Sequence, residues 1–170
     1  MEQDIYWLKV PSIQLAIMAR PRSGEWLSDE ISGWKQQGIK VVVSLLEASE
    51  IRELELKNEA LYCQQSEIEF ISYPIPDRDV PSSTRSACQL VHQLVKHLKK
   101  GDAVAIHCRM GIGRSGLIAA SVLSVLGIKQ EPFQLISQAR GLPVPDTTLQ
   151  KNWLNRFCNE YKDYYSNLNH

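Results

Sequence analysis

Residues 107–116 read HCRMGIGRSG, with a cysteine, Cys108, and an arginine, Arg114, at the two ends of a short glycine-containing run. A thiol and a guanidinium so spaced suit chemistry on a tetrahedral oxyanion. Gly111, Gly113 and Gly116 permit turns that a β-carbon would forbid. A backbone curled this way lines its N–H groups along a concave nest for an anion. The apolar run that follows, RSGLIAASVLSVLG, reads as a buried helix ended by Gly127, and its positive dipole end adds to the nest. The planar fork of Arg114 can grip two oxygens of the anion, with the amides of Arg109, Met110, Gly111, Ile112 and Gly113 around it. A free cysteine titrates near about 8.5, and a helix N-terminus with nearby cations lowers this to roughly 3.5–7.5. Cys108 is therefore expected as a thiolate beneath the central atom of the bound group. Phosphoryl transfer to sulfur fits this arrangement without a metal or other cofactor.

Cleaving a phosphate ester also requires a proton for the leaving oxygen. The stretch YPIPDRDVPS offers Asp77 and Asp79 on a proline-rich loop, either of which could swing over the nest as general acid. The same group, then a carboxylate, could activate water to hydrolyse the phosphocysteine. Ser115 can hydrogen-bond to the departing thiolate. His107, at a strand end, reads as a core hydrogen-bonding residue that orients the loop rather than as a base. Plainer readings stand beside these. Asp79 is most simply a turn former, Asp146 a helix cap, and Gln150 could equally face solvent. The four tryptophans, Trp7, Trp26, Trp34 and Trp153, read as core and helix-packing residues. Cys88 and His92 share a helix face, but no second pair at ligand spacing accompanies them, so no metal site is expected.

The elements that must position these groups alternate between strand and helix. SIQLAIMA and KVVVSLL read as strands, the second apolar and β-branched as a buried strand should be. WLSDEISGWKQQG between them reads as a helix stopped by Gly38. ASEIRELELKNEALYC is rich in helix formers, and EIEFISYPI reads as a strand ended by proline. Serines at the end of PDRDVPSS suit the cap of an amphipathic helix, TRSACQLVHQLVKHLKK, with lysines at its C-terminus. AVAIH is a short apolar strand leading into the glycine loop. EPFQLISQAR reads as a helix with Pro132 in its first turn, GLPVPD as a loop, and TTLQKNWLNRFCNEYKDYY as the last helix. The alternation predicts an α/β fold, a mostly parallel central sheet with helices on both faces.

The whole chain is consistent with that fold. Its 170 residues suit one domain, 1–170, and its 44% hydrophobic content is that of an ordinary globular protein. The formal net charge is zero, so bulk attraction to nucleic acid or to an anionic membrane is not expected and an anion needs a local site. The acidic start MEQDIYWLKV lacks an apolar core and does not read as a signal peptide. The longest apolar run is too short to span a bilayer. The scattered cysteines Cys63, Cys88, Cys108 and Cys158 read as free thiols, which points to the cytoplasm. A monomer is expected.

HCRMGIGRSG matches the HCxxGxxR[ST]G signature of the cysteine-dependent protein phosphatases, the tyrosine and dual-specificity superfamily. The flanking His107, Gly111, Ser115 and Gly116 agree as well as the cysteine and arginine. YPIPDRDVPS resembles the acid loop of the small dual-specificity and lipid-phosphatase branches. RGLPVPDTTLQKNWLNRF resembles their C-terminal segment, with Gln150 near a water-positioning glutamine. The likeness runs from Val41 to Phe157 and leans toward the kinase-associated type and small bacterial relatives. It implies a tyrosine-phosphatase-like fold and hydrolysis of phosphotyrosine, with phosphoserine and phosphothreonine as further candidates, in phosphorylated proteins or peptides. In that branch the acid follows Pro-x-x-Asp, which selects Asp77. Within 170 residues there is no counterpart of the loop that deepens the site in longer tyrosine phosphatases, so a shallower pocket is implied. Inositol-lipid phosphatases place lysines inside the loop. Here only Arg109 is cationic among the variable positions, which disfavours a lipid substrate without excluding it, and a phosphorylated lipid or sugar stays an alternative. Cys63 and Cys88 are the remaining candidates for a redox partner of Cys108. A sulfurtransferase would have a shorter loop and no acid loop. A non-catalytic phospho-binding module would have lost the cysteine, the arginine or the acid.

Overall fold

The computed structural model describes residues 4–145 and 147–166, so Asp146, expected as a helix cap, lies outside the described residues. The chain runs β1 (Tyr6–Trp7), β2 (Leu15–Met18), α1 (Glu25–Gln36), β3 (Ile39–Ser44), α2 (Ala48–Glu53), α3 (Glu59–Gln65) and β4 (Glu69–Ser72). It continues through α4 (Thr84–Lys100), β5 (Ala103–His107), α5 (Gly113–Val125), α6 (Pro132–Arg140) and α7 (Thr148–Ser166). The five-stranded sheet has the order β1-β2-β5-β3-β4. All pairs are parallel except β1 with β2, which is antiparallel with Tyr6 opposite Ile17. The short β1 was not legible in the acidic N-terminal stretch. The mostly parallel sheet with helices on both faces is as the sequence predicts.

β5 is buried along its whole length because both faces of the sheet are covered. Val104 and Ile106 join a core with α4, α5, α6 and α7, while Ala105 faces Leu27, Ile31, Trp34 and Cys63 of α1 and α3. Each buried Val, Leu or Ile contributes about 1.5–3 kcal/mol, so the loop after β5 leaves the best-anchored part of the molecule. Period-two alternation continues past Ile106. His107 falls on the α1–α3 side of the sheet, and Cys108 joins the core on the α4–α7 side.

Some elements depart from the expected reading. The helix-forming run 48–63 is two short helices, broken where Glu55 takes a left-handed φ of 55°. Trp34 and Trp153 are buried as expected, but Trp26 is half exposed at the start of α1, with the Arg22 guanidinium over its ring. Ser83 caps α4 through its side chain, as the serine-rich loop suggests. Among the described residues no helix is long and apolar enough to cross a membrane.

Candidate active site

The parallel strands end at one edge of the sheet, where ligands bind in open α/β folds. β5 lies between β2 and β3, so its loop emerges in the middle of that edge. Backbone bonds extend the order beyond the strands. Leu45 N donates to the His107 carbonyl at 3.0 Å and Ile75 N to the Leu45 carbonyl at 3.0 Å, which draws the loops after β3 and β4 alongside residues 108–113.

Every carbonyl from Cys108 to Ile112 is bonded from outside the loop. His107 Nδ1 lies 3.3 Å from the Cys108 oxygen, and Arg20 N donates to the Arg109 oxygen at 3.3 Å. Arg140 of α6 donates from Nη2 to Met110 O at 3.0 Å and from Nε to Gly111 O at 3.2 Å. Gly116 N donates to Ile112 O at 3.0 Å. In a trans peptide the C=O of one residue and the N–H of the next point in opposite directions. The N–H groups of Arg109 through Gly113 are therefore turned inward, at the head of α5. Gly111 has a φ of 72°, and a β-carbon there would meet the Met18 backbone at 2.6 Å. A β-carbon on Gly116 would meet Val144 Cγ1 at 2.3 Å. Gly111 is set by space and by turn geometry together, and the helical Gly116 by space alone.

Arg114 is almost wholly buried, and its fork is held edge-on by Glu50 of α2. Nη1 donates to Glu50 Oε1 at 2.7 Å and Nη2 to Oε2 at 3.0 Å, while Nη1 also reaches the Ile75 carbonyl at 3.0 Å. Burial works against the Arg114 cation, but the Glu50 bonds and the charges of Cys108, Glu50 and Asp77 outweigh it and raise its pKa. Burial would likewise raise Glu50. The Arg114 hydrogen bond, the Glu47 backbone N–H and the charges of Arg114 and Arg109 more than offset this and hold it below the usual carboxylate range.

The two candidate acids are placed differently. Asp77 is exposed, with Oδ1 3.2 Å from Arg114 Nη2. Asp79 turns its side chain onto the Val80 N–H at 2.8 Å, which is the turn-forming role. Its carbonyl accepts from Gln150 Nε2 at 3.1 Å. Gln150 is fully buried, so the solvent-facing reading fails, because α7 packs that face against the acid loop. Ser115 is fully buried in the first turn of α5, and its hydroxyl makes no hydrogen bond among the described residues. The Arg109 side chain turns to Glu53 at 3.1 Å and offers the loop only its backbone, while Met110 is exposed at the rim. Cys63 lies on the opposite face of the sheet from Cys108. Burial, with Glu59 adding, pushes the Cys63 thiol up to about 12, and burial, with Glu160 adding, pushes Cys88 to about 11. Neither ionises readily, which disfavours both as redox partners.

Glu50, Glu59, Arg140 and Arg20 escaped the sequence reading. Glu50 and Glu59 sit in a run whose acids look like a solvated helix face. The available signal was position: the run follows a central strand, where the loops of a parallel sheet converge.

A family model described as "Polymorphic toxin system, DSP-PTPase phosphatase" matches residues 16–127. Cyclin-dependent kinase inhibitor 3 of Rattus norvegicus is 31% identical over 135 residues, which are 78% of this chain and 63% of that protein. The putative tyrosine phosphatase 197R of Invertebrate iridescent virus 6 is 34% identical over 96 residues, 55% of this chain and 35% of that protein. The chain thus spans less than two thirds of the length of these curated relatives. A crystal structure of kinase associated phosphatase with its catalytic cysteine changed to serine superposes with a TM-score of 0.83 at 25% identity, covering 95% of this chain and 97% of that one. Tk-PTP in its active form, at 23% identity and TM-score 0.71, shares the fold.

Proposed function

The chain belongs to the DSP-PTPase phosphatase family, and from that premise we propose that it is a cysteine-dependent phosphatase of the compact dual-specificity type, acting on phosphorylated proteins or peptides. The observation that carries this reading is the loop at 108–114. Its carbonyls are bonded outward, its N–H groups face inward, and the buried Arg114 fork closes it beside Asp77.

In this reading Cys108 Sγ attacks phosphorus while the bond to the leaving oxygen breaks, and Asp77 gives that oxygen its proton. The inward N–H groups of Arg109 through Gly113, with Arg114, take up the charge of the three equatorial oxygens, a preorganised electrostatic role. In the second step the Asp77 carboxylate takes a proton from water, the water oxygen bonds to phosphorus, and sulfur departs with its electron pair, stabilised by Ser115. Gln150 holds the acid loop through Asp79, and His107 fixes the loop from behind. The reaction draws on no metal or organic cofactor. We take residues 1–170 as one phosphatase domain, working in the cytoplasm as a monomer. One relative is a kinase associated phosphatase, which makes a phosphorylated kinase the first protein substrate to try.

The test is hydrolysis of p-nitrophenyl phosphate under reducing conditions with a chelator present, for the wild type and Cys108→Ser. Activity that resists chelation and vanishes in the variant supports the proposal. An inactive wild type that still binds phosphopeptide points to a binding module. Activity that survives in the variant places catalysis elsewhere.

A further inference from the structure

The anion loop is braced from behind on two sides. On one, His107 Nδ1 lies 3.3 Å from the Cys108 carbonyl, with Glu59 Oε2 2.5 Å from the other ring nitrogen. On the other stands Arg140, the last residue of α6, with Nη2 on Met110 O at 3.0 Å and Nε on Gly111 O at 3.2 Å. Arginine is long and rich in rotamers, and fixing such a side chain costs entropy. Arg140 is half-buried, and among the described residues its hydrogen-bond partners are these two loop carbonyls. The group that holds it against them is an aromatic ring. The guanidinium carbon of Arg140 lies 4.3 Å from the centroid of Tyr6, well inside the roughly 6 Å over which a ring face attracts a cation.

Strand direction brings Tyr6 there. β1 is antiparallel to β2, with Tyr6 opposite Ile17 and Trp7 opposite Ala16. A strand running against its neighbours starts where they end, so β1 begins at the edge of the sheet that carries the nest. Successive side chains of a strand point to opposite faces. Tyr6 accordingly packs on the α4–α7 side, where α6 lies, and Trp7 packs on the α1–α3 side. The partner strand β2 ends against the loop itself, with the Met18 backbone directly behind Gly111.

We propose that Tyr6 is a positioning residue for the anion loop: its ring face holds the Arg140 guanidinium against the Met110 and Gly111 carbonyls, which keeps the Gly111 and Ile112 N–H groups turned into the nest. This rests on the phosphatase reading and deepens it. The two carbonyls point outward only while Arg140 meets them, and each fixes the N–H of the following residue in the opposite direction. Without the ring, Arg140 keeps its donors but gains freedom to leave, and the nest loses preorganisation rather than a donor. The first strand of the chain thereby tunes anion binding without touching substrate.

The experiment uses the full chain with Tyr6→Leu, Tyr6→Phe, Trp7→Leu, Arg140→Ala and the Tyr6→Leu, Arg140→Ala pair. Tungstate Kd is measured by calorimetry, and kcat/KM with p-nitrophenyl phosphate. A half-buried cation–π contact corresponds to roughly twofold to thirtyfold in an equilibrium, and transmitted through Arg140 it belongs in the lower part, about three- to fivefold. Tyr6→Leu fills the space without a ring face, so its tungstate Kd should rise and its kcat/KM fall by that factor. Tyr6→Phe keeps the face and should bind as the wild type does. On the Arg140→Ala background Tyr6→Leu should add nothing. Trp7→Leu loosens β1 from the other face and should leave tungstate Kd unchanged. A Tyr6→Leu protein with wild-type Kd overturns the inference, and so does a Trp7→Leu protein weakened as much as Tyr6→Leu. If Tyr6→Leu does not fold, phenylalanines of increasing fluorine content at position 6 keep the shape and weaken the ring face. A flat Kd across that series overturns the inference equally. Tungstate reads the nest without turnover. An inactive wild type that binds it removes the phosphatase reading, while an active wild type with unshifted Tyr6 variants removes this inference alone.

Discussion

Replacing Glu50 by glutamine isolates the clamp on Arg114. The guanidinium is buried and cannot shed its proton, so Glu50→Gln leaves a buried cation with less countercharge. Breaking a buried ion pair by removing one partner costs roughly 3–5 kcal/mol. The glutamine keeps one acceptor for Nη1, and a hydrogen bond to a charged group is worth about 1.5–3 kcal/mol. The net expectation is about 2 kcal/mol, or a fall in Tm of about 4–8 °C at the 2–4 °C per kcal/mol usual for this chain length. An oxyanion in the loop would restore the missing charge. Tungstate at about 100 times its Kd stabilises by about 2.7 kcal/mol, so it should lift the variant back close to the unliganded wild type. pH supplies a second check. Because Glu50 is held below its ordinary value, its stabilisation is fully present above the unfolded-state value of about 4.3 and is lost as pH falls through the folded one. The gap in Tm between wild type and variant should therefore close on acidification below about pH 4.3. Thermal unfolding with and without tungstate, at pH 7 and along an acid series, measures all of this. A variant within about 1 °C of wild type at pH 7, well inside the expected fall, or a gap that widens in acid, would overturn this account of the clamp.

Other substitutions address the remaining parts of the site. Asp77→Asn should lower kcat by about 10²–10⁴, the usual contribution of a positioned acid, whereas Asp79→Asn should stay within a few-fold; the reverse order in steady-state assays would reassign the acid. Gly111→Ala should lower both stability and activity, since its β-carbon meets the Met18 backbone at 2.6 Å in a left-handed conformation. A cost of at least about 1–3 kcal/mol is expected from overpacking, read by chemical denaturation. Arg140→Ala frees the Met110 and Gly111 carbonyls from their outward bonds, so KM should rise and tungstate affinity fall more than global Tm does. Equal losses in binding and Tm would make Arg140 merely structural.

The proposed chemistry is local in sequence, and so a reading of the chain alone arrives at it. A thiol, an arginine and glycines between a strand and a buried helix point to an anion nest, because a nest is made of neighbouring peptide groups. The amphipathic period of α4 and the apolar run of β5 likewise announce themselves, since each is set by which face its own residues bury. The partners of the nest are not local. Glu50 stands 64 residues from Arg114, Glu59 stands 48 from His107, and Arg140 stands 29 beyond Gly111. In sequence the two glutamates are indistinguishable from solvated helix acids, and the run that holds them looks like one helix rather than two. Their burial follows from the insertion of β5 between β2 and β3, which gathers the strand-end loops around one point. The same packing separates the two loop aspartates, turning Asp79 into the turn and leaving Asp77 on Arg114. It also buries Gln150, which helical spacing alone left equally free to face water. A charge far along the chain becomes a partner only when folding removes the water between them, and that depends on strand order, which no short stretch of sequence contains.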